Sequence, residues 1–469
     1  MAEATWPAHP AGPHSGRERN EVTRLTRTRY HQLTSEASAR LTVDRRWVMV
    51  AALALPLAGG AEAGPDGFAA ETIASRLRTL AASENLRSGR RDERRIADRV
   101  ASRLEAWGYT VHRQAVTVAA RGVVEGELSS GQAVATIAVH DVAHREATRI
   151  EAPLALFDPG DDPAIVRDRI ALVRLRPARH SRVEGPIREI ASTVAAAGAK
   201  ALVLITDGPT GETIHLNLPS EGSIVPVPLA ALGPKRATAL LAAARAGETG
   251  SFVAPAANEG PMTENVIGIL DRGGPLLVLS TPRTAWTTAV GERGPGYAAF
   301  LALAEWACAQ KGWSVLALNT GAHEFDNAGG LAFLSSKLAP APSDVKLWVH
   351  LGAGFAARAH HEIGGYQLLP IDSVDPQRFL LGSKPLLPVL RDSFEGQAGL
   401  STPYPISAGA VGELREIHAA GYERVFGLVG AHAYHHVRGD GLENTNPAWI
   451  RQASLAARDA IVQIMSEGG

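Results

Sequence analysis

Apolar positions switch between helical and strand spacing along the chain from residue 66 onward. Over residues 68–104 they recur at three- and four-residue steps, through Ile73, Leu77 and Leu80 and then Ile96, Val100 and Leu104. That period predicts two amphipathic helices, with Ser88-Gly89-Arg90-Arg91-Asp92-Glu93 as the loop between them and the start of the second. A strand over residues 109–118 follows. Residues 275–280, 314–319 and 345–351 are short apolar runs bounded by Gly, Pro or polar residues, the signature of buried strands. They alternate with helices predicted over 297–310 and 330–338. This alternation predicts an α/β fold with a mostly parallel or mixed sheet between helix layers. In such sheets functional side chains gather at the C-terminal ends of strands. Residues 368–402 are punctuated by Pro, Gly and Asp and read as a loop-rich excursion.

A second pattern interrupts the first. Residues 125–257 carry strands predicted at 168–175, from 201 and at 224–230, with a helix at 187–197. The expected organisation is a discontinuous main domain, 66–124 with 258–469, holding a smaller α/β insert. A chain of 469 residues is long enough for both.

Composition narrows the partners. A formal net charge of −1 gives no global attraction to nucleic acid or anionic membranes, so no nucleic-acid partner is expected. The arginines around residue 90 are balanced by acids and read as a solvated helix face. Cys308 is the one cysteine, which excludes an intrachain disulfide and any Cys-rich zinc knuckle. It lies in an apolar helical run, where a buried thiol is expected. No Gly-x-Ser-x-Gly elbow and no Walker loop occurs.

The N-terminal 63 residues read as an extension plus an export signal. Arg45-Arg46 precedes an apolar run ending in Ala61-Glu62-Ala63, a positively charged segment, a short hydrophobic segment and an Ala-x-Ala cleavage pattern. The run is short for a membrane span, so no integral span is expected after processing. The paired arginines point to twin-arginine export, placing the mature chain in the periplasm or outside the cell.

Candidate chemistry concentrates in two segments. Tyr434-His435-His436-Val437-Arg438-Gly439-Asp440, followed by Glu443-Asn444-Thr445-Asn446-Pro447, resembles the last histidine segment of the co-catalytic di-zinc aminopeptidases. Gly321-Ala322-His323-Glu324-Phe325 resembles that family's Gly-Glu-Glu-Phe segment, and the stretch from Glu413 to Val429 resembles the segment leading into the final histidine. The insert resembles a protease-associated domain through Gly198-Ala199-Lys200-Ala201 and the apolar strand after it. The resemblance implies a metallo-exopeptidase fold, zinc as cofactor, and a peptide or amino-terminal small molecule as ligand. It implies no chemistry for the insert beyond flanking or covering the cleft.

Matched position by position, the family's ligand set is mostly replaced. Thr281 stands where the first histidine is expected, and Arg283 at its neighbouring Asp. The segment around Arg293 has no clear bridging Asp. Glu324 keeps a ligand position and His323 occupies that of the general base. His350-Leu351-Gly352 replaces the fourth ligand segment, His436 keeps the fifth, and His435 and Asp440 flank it. Two cocatalytic zincs need about five ligands, and Glu324 with His436 falls short. The resemblance thus implies a degenerate, metal-free pseudo-peptidase that binds its ligand without cutting it. In that reading a guanidinium, from Arg283 or Arg293, pairs with Glu324 in place of the cation.

Four other readings stay open on the sequence. An active metal-dependent aminopeptidase or amide hydrolase would use Glu324 and His436 as ligands and His323 as base. A rearranged single-metal site would draw on His323, Glu324, His350, His360, His361, His435 and His436. In a competing alignment, Phe325-Asp326-Asn327 supplies the bridging segment and His360-His361-Glu362 the base and ligand. A scaffold using the insert for contacts would leave the cleft empty.

Overall fold

The computed structural model describes residues 66–466 apart from 120–121, 142–146, 176–185, 222–223 and 257–260. The expected export segment lies outside the described residues. In chain order, α1 (Ala70–Ala81) and α2 (Arg91–Ala106) lead into β1 (Thr110–Thr117). Then come β2 (Val124–Ser130), β3 (Ala133–Asp141), β4 (Thr148–Phe157), β5 (Ile170–Arg174), α3 (Pro186–Ala196), β6 (Ala201–Ile205), β7 (Leu229–Leu232), α4 (Pro234–Ala246) and β8 (Thr249–Ala254). The chain continues through β9 (Met262–Leu270), β10 (Leu276–Pro282), α5 (Val290–Cys308), β11 (Ser314–Thr320), α6 (Ala328–Leu334) and β12 (Val345–Leu351). Last are β13 (Arg358–Glu362), β14 (Leu368–Val374), β15 (Arg378–Gly382), α7 (Leu387–Ser393), β16 (Tyr404–Pro405), α8 (Glu413–Ala419), β17 (Val425–Gly430) and α9 (Pro447–Ser466).

The main sheet is mixed, in the order β1-β9-β11-β10-β12-β17-β15-β16. Its centre, β11-β10-β12-β17, is parallel, while β9 and β15 join it antiparallel. Both faces are buried, and successive residues of one strand enter different cores. Leu277 and Leu279 pack with α1, α5 and α9, whereas Val278 packs with Phe333 of α6 and Leu414 and Ile417 of α8. Strands covered on both sides read as continuous apolar runs, which is why the runs at 276, 314 and 345 carry no polar alternation.

Strands β2 to β8 close into a barrel, β2-β3-β7-β6-β5-β4-β8, sealed by antiparallel pairing of Glu127–Ser129 with Ser251–Val253. One set of its apolar residues packs with α4. The other set, including Val173, Leu202, Leu204 and Leu229, shares a core with Leu216, Leu218, Trp286 and Phe325. That shared core ties the barrel to the C-terminal edge of the main sheet.

Several expectations need correction. Residues 224–227 are bends and Pro228 is irregular rather than strand, since Pro226 and Pro228 interrupt the ladder and pairing begins at Leu229. Helix α5 begins at Val290, seven residues before the expected start, and runs through Gly291, Gly294, Pro295 and Gly296. Helix α6 ends at Leu334 rather than 338. The excursion over 368–402 contains β14, β15 and α7. Cys308 is half-buried, with its Sγ donating to Glu305 O at 2.9 Å. Among the described residues no helix is long and apolar enough to cross a membrane.

Candidate active site

The parallel core of the sheet brings four chain segments to one edge. The loop after β10 carries Arg283 and Thr284, the loop after β11 carries His323 and Glu324, and the loop after β17 carries His432, His435 and His436. The N-terminus of α5 supplies Glu292 and Arg293. Backbone strain collects here. Ala289, Ala322 and His436 all hold positive φ, at 50°, 51° and 61°, a conformation unfavourable for residues with a Cβ. His436 is itself in the site, Ala322 directly precedes His323, and Ala289 is the N-cap residue of α5.

Asp440 fixes the start of α5. Its two carboxylate oxygens accept from Gly291 N at 3.0 Å and Glu292 N at 2.9 Å, and Oδ1 lies 3.1 Å from His432 Nε2. The first turn of a helix has free amides and a partial positive charge, so a buried carboxylate there is stabilising. Gly291 is required by this approach, since a Cβ would lie 2.5 Å from Asp440 Oδ1. Burial alone would lower the His432 pKa, but Asp440 reverses this and raises it.

The centre of the site is a buried cluster of charges. Arg293 Nη2 lies 2.9 Å from Glu292 Oε1 and donates at 2.9 Å to Glu324 Oε1, while its Nε donates to Thr284 O at 2.5 Å. His436 donates from Nδ1 to His215 O at 2.9 Å and turns Nε2 toward Glu292 Oε1 at 3.4 Å. Its ring stacks on that of His435, centroids 4.4 Å apart. Burial works against charge on Glu292, yet Arg293, His435 and His436 hold its carboxyl well below the usual range. Burial likewise lowers the His436 pKa, and Glu292 more than restores it, leaving it raised. Arg293 Nη1 and Glu324 Oε2 make no hydrogen bond among the described residues.

A segment of the barrel region closes over this cluster. His215 N donates to His436 O at 3.0 Å, reciprocating the His436 bond, and Leu218 N donates to Glu324 O at 2.9 Å. Trp286 Nε1 donates to Asn217 Oδ1 at 3.2 Å, and Gly439 N to Glu212 Oε2 at 3.0 Å. Glu292 and Glu324 are each 1 % exposed, Arg293 2 % and His436 4 %. A peptide bond has no path to these groups in this conformation.

The expected site residues therefore divide. Glu324, Arg293, His435 and His436 come together, with Asp440 behind them. Arg283 does not join. It turns away, its Nε donating to Glu93 Oε1 at 2.7 Å and other guanidinium nitrogens bonding Asn319 O and Glu264 O. The pairing of Arg283 with Glu324 is thus corrected, because the buried Glu93 of α2 takes that guanidinium. Thr281 Oγ1 donates to Leu351 O at 2.7 Å, a packing role at the sheet edge. His350 Nδ1 lies 3.0 Å from Ser280 Oγ, and Gly352 packs against Val429. His323 Nδ1 lies 3.4 Å from Glu413 Oε1, which also accepts from Thr320 Oγ1 at 2.7 Å. Burial pushes His323 and His350 down to about 4, so both are neutral near pH 7.

The competing alignment fails on geometry, since His360, His361 and Glu362 lie in the separate β13-β14 hairpin, with His361 and Glu362 exposed. Sequence reasoning missed Glu292, Glu413, His432 and the overlying His215. Glu292 was readable as the acid beside Arg293, in the segment searched for an Asp. The others become visible only when distant segments meet.

Metal binding can be tested on the donors themselves. One oxygen or nitrogen from each of Glu292, His435 and His436 lies within 4.8 Å of the others, close enough to surround one ion. The Glu292 carboxylate already has its Oε1 held 2.9 Å from the Arg293 guanidinium. A dication there would face a fixed positive charge at contact distance, which costs several kcal/mol in a site screened from water. The residues present do not fit a pair of zincs, and they fit one only if Arg293 moves.

No family model matches the sequence, and no curated protein matches it either. Solved structures do match. A zinc aminopeptidase from Bacillus subtilis superposes over 84 % of this chain and 95 % of its own, with TM-score 0.66 and 16 % identity. A peptidase M28 precursor from Shewanella amazonensis covers 85 % and 96 %, with TM-score 0.63 and 16 % identity. An aminopeptidase from Aneurinibacillus covers 84 % and 93 %, with TM-score 0.58 and 15 % identity. The fold is that of the zinc aminopeptidases, in a mixed α/β architecture.

Proposed function

We propose that this chain is an exported pseudo-peptidase of the zinc aminopeptidase fold, which binds a peptide or amino-terminal small ligand and does not hydrolyse it. The observation that carries this is the buried Arg293 guanidinium held 2.9 Å from both Glu292 and Glu324. Two carboxylates are balanced by Arg293 and by a His436 of raised pKa, with no metal needed. The protease-associated character of the insert supports a covering role, since its 212–218 segment bonds directly to His436, Gly439 and Glu324. A ligand then sits in the surrounding clefts. One cavity of about 360 Å³ is lined by Glu125 and Glu212 as well as Lys235, Arg236 and Arg438, a mixed charge suited to a zwitterionic peptide end.

The test is zinc content by elemental analysis together with hydrolysis of leucine p-nitroanilide, on the purified chain with and without added zinc. No bound zinc and no turnover is the expected result, with a Leu-Gly dipeptide still binding by calorimetry. A second reading rests on the proximity of Glu292, His435 and His436: a one-zinc hydrolase. Stoichiometric zinc with chelator-sensitive turnover would establish that reading and end the first.

A further inference from the structure

A second cavity, of about 300 Å³, has Trp286 in its wall and is lined by none of the charged-cluster residues. Its polar wall is made by Arg87, Ser88, Arg90 and Arg94, at the loop entering α2 and the first turn of that helix. Among the described residues no carboxylate lines it. Its remaining walls include Val123, Met262, Trp286 and Phe325, the last two rings meeting edge to face at 5.4 Å.

The arginines here are poorly compensated. Arg87 spans the cavity wall, its Nε donating to Trp286 O at 2.8 Å and Nη1 to Val123 O at 3.2 Å, carbonyls rather than carboxylates. Burial, with Arg90 beside it, lowers the Arg87 pKa, while Glu125, itself ion-paired to Arg438, pulls the other way. Arg94 donates to Gly89 O at 2.7 Å, and Arg90 forms no ion pair among the described residues. The acids of the first turn are engaged elsewhere, Asp92 with Glu84 N at 2.7 Å and Glu93 with Arg283 and Gly89 N. Helix α2 also begins without a side-chain cap. Clustered cations at the positive end of a helix are unfavourable unless an anion joins them.

Ser88 is the independent sign of a ligand. It is 7 % exposed, it lines the cavity, and its Oγ has no hydrogen-bond partner among the described residues. Buried hydroxyls are ordinarily partnered, so one left open beside three arginines marks a place for an acceptor. We infer that this cavity binds a small amphipathic anion, its carboxylate or phosphate held by Ser88, Arg90 and Arg94 and its apolar or aromatic part against Val123, Met262 and Trp286. The site is separate from the proposed peptidase-derived cluster and does not depend on whether that cluster holds zinc.

Isothermal titration of the full chain with indole-3-acetate, indole-3-acetamide and inorganic phosphate tests this. Indole-3-acetate should bind, with the neutral amide at least about tenfold weaker, the loss expected for one charge-assisted hydrogen bond. The Arg90→Ala/Arg94→Ala double variant, altered only at exposed side chains, should lose a similar factor, and Ser88→Ala a smaller one. Phosphate binding as tightly as indole-3-acetate would overturn the amphipathic ligand and leave a bare oxyanion site. Equal binding of acid and amide, an unaffected double variant, or no binding of any probe at millimolar concentration would overturn the proposal outright. None of these readouts involves zinc or hydrolysis, so their failure is separable from failure of the pseudo-peptidase reading.

Discussion

Arg293 and Glu324 form an ion pair at 2.9 Å in which both side chains are about 1 % exposed. The pair joins the first turn of α5 to the loop after β11, two segments that meet only because their parent strands are parallel neighbours. It also decides the charge of the site. With Glu292 on the same guanidinium, the two carboxylates that a cation would otherwise neutralise are already matched.

Replacing Arg293 by Met should be costly and should change metal affinity. Removing one partner of a buried ion pair leaves uncompensated charge and costs roughly 3–5 kcal/mol. It also frees Glu292 and Glu324 beside His435 and His436. Thermal unfolding should show a large drop for Arg293→Met, partly recovered by added zinc, with zinc having little effect on the wild type. Equal stabilisation of both proteins by zinc would show that Arg293 does not occupy the cation's place.

Asp440 offers a test of how α5 is anchored. Asp440→Ala removes the acceptor of two first-turn amides and the counter-charge of His432. A loss of roughly 2–4 kcal/mol is expected from lost hydrogen bonds to a buried charge and from a buried His432 left without its counter-charge. Asp440→Asn keeps one oxygen and should lose less. Urea unfolding midpoints for the three proteins should fall in that order, and an Asp440→Ala protein as stable as wild type would remove Asp440 from this role.

Much of the central sheet was legible because a strand buried on both faces leaves an apolar run, as at 276–279. The barrel was legible only in part. Strand β2 carries Glu125 and Glu127 on one face and β8 opens with Thr249-Gly250-Ser251, so these short strands are easily read as loop. The start of α5 was hidden by Gly291, Gly294, Pro295 and Gly296, residues that discourage helices locally but are demanded by close packing. Among the site residues, Glu324, His436 and Arg293 were readable from segment order. The partner of each was not, since Arg283 finds Glu93 and His436 finds His215 across more than a hundred residues of sequence.

The Gly296 position shows that packing constraint. A Cβ there would lie 2.7 Å from Thr281 Oγ1 and 2.8 Å from Leu351 O. Gly296→Ala should therefore destabilise by about 1–3 kcal/mol through overpacking, despite alanine's better helix propensity. Adding Thr281→Ala should restore only part of the loss, because Leu351 O is backbone and cannot withdraw. Calorimetric melting of the single and double variants checks this, and full recovery in the double variant would locate the strain entirely at Thr281.

The His140 ring predicts how the covering segment responds to acid. Its Nδ1 lies 2.8 Å from Ala138 O and its Nε2 accepts from Leu216 N at 2.8 Å, an arrangement that requires a neutral ring. Burial pushes its pKa down to about 3, with Arg87 and His436 adding to the shift, and His215 and Trp286 complete its surroundings. In the unfolded chain a histidine titrates near 6.5. Between the two values the unfolded state binds the extra proton, so this contribution to stability is complete above about pH 6.5 and is lost as pH falls toward 3. His323 and His350, both near 4, add slopes of the same sign, so the comparison must be between proteins. His140→Leu should be less stable than wild type at pH 7.5, and the gap should narrow or reverse at pH 4.5. Denaturant midpoints at the two pH values give the answer: a gap of unchanged size would mean that His140 does not titrate in this window and does not couple the 212–218 segment to pH.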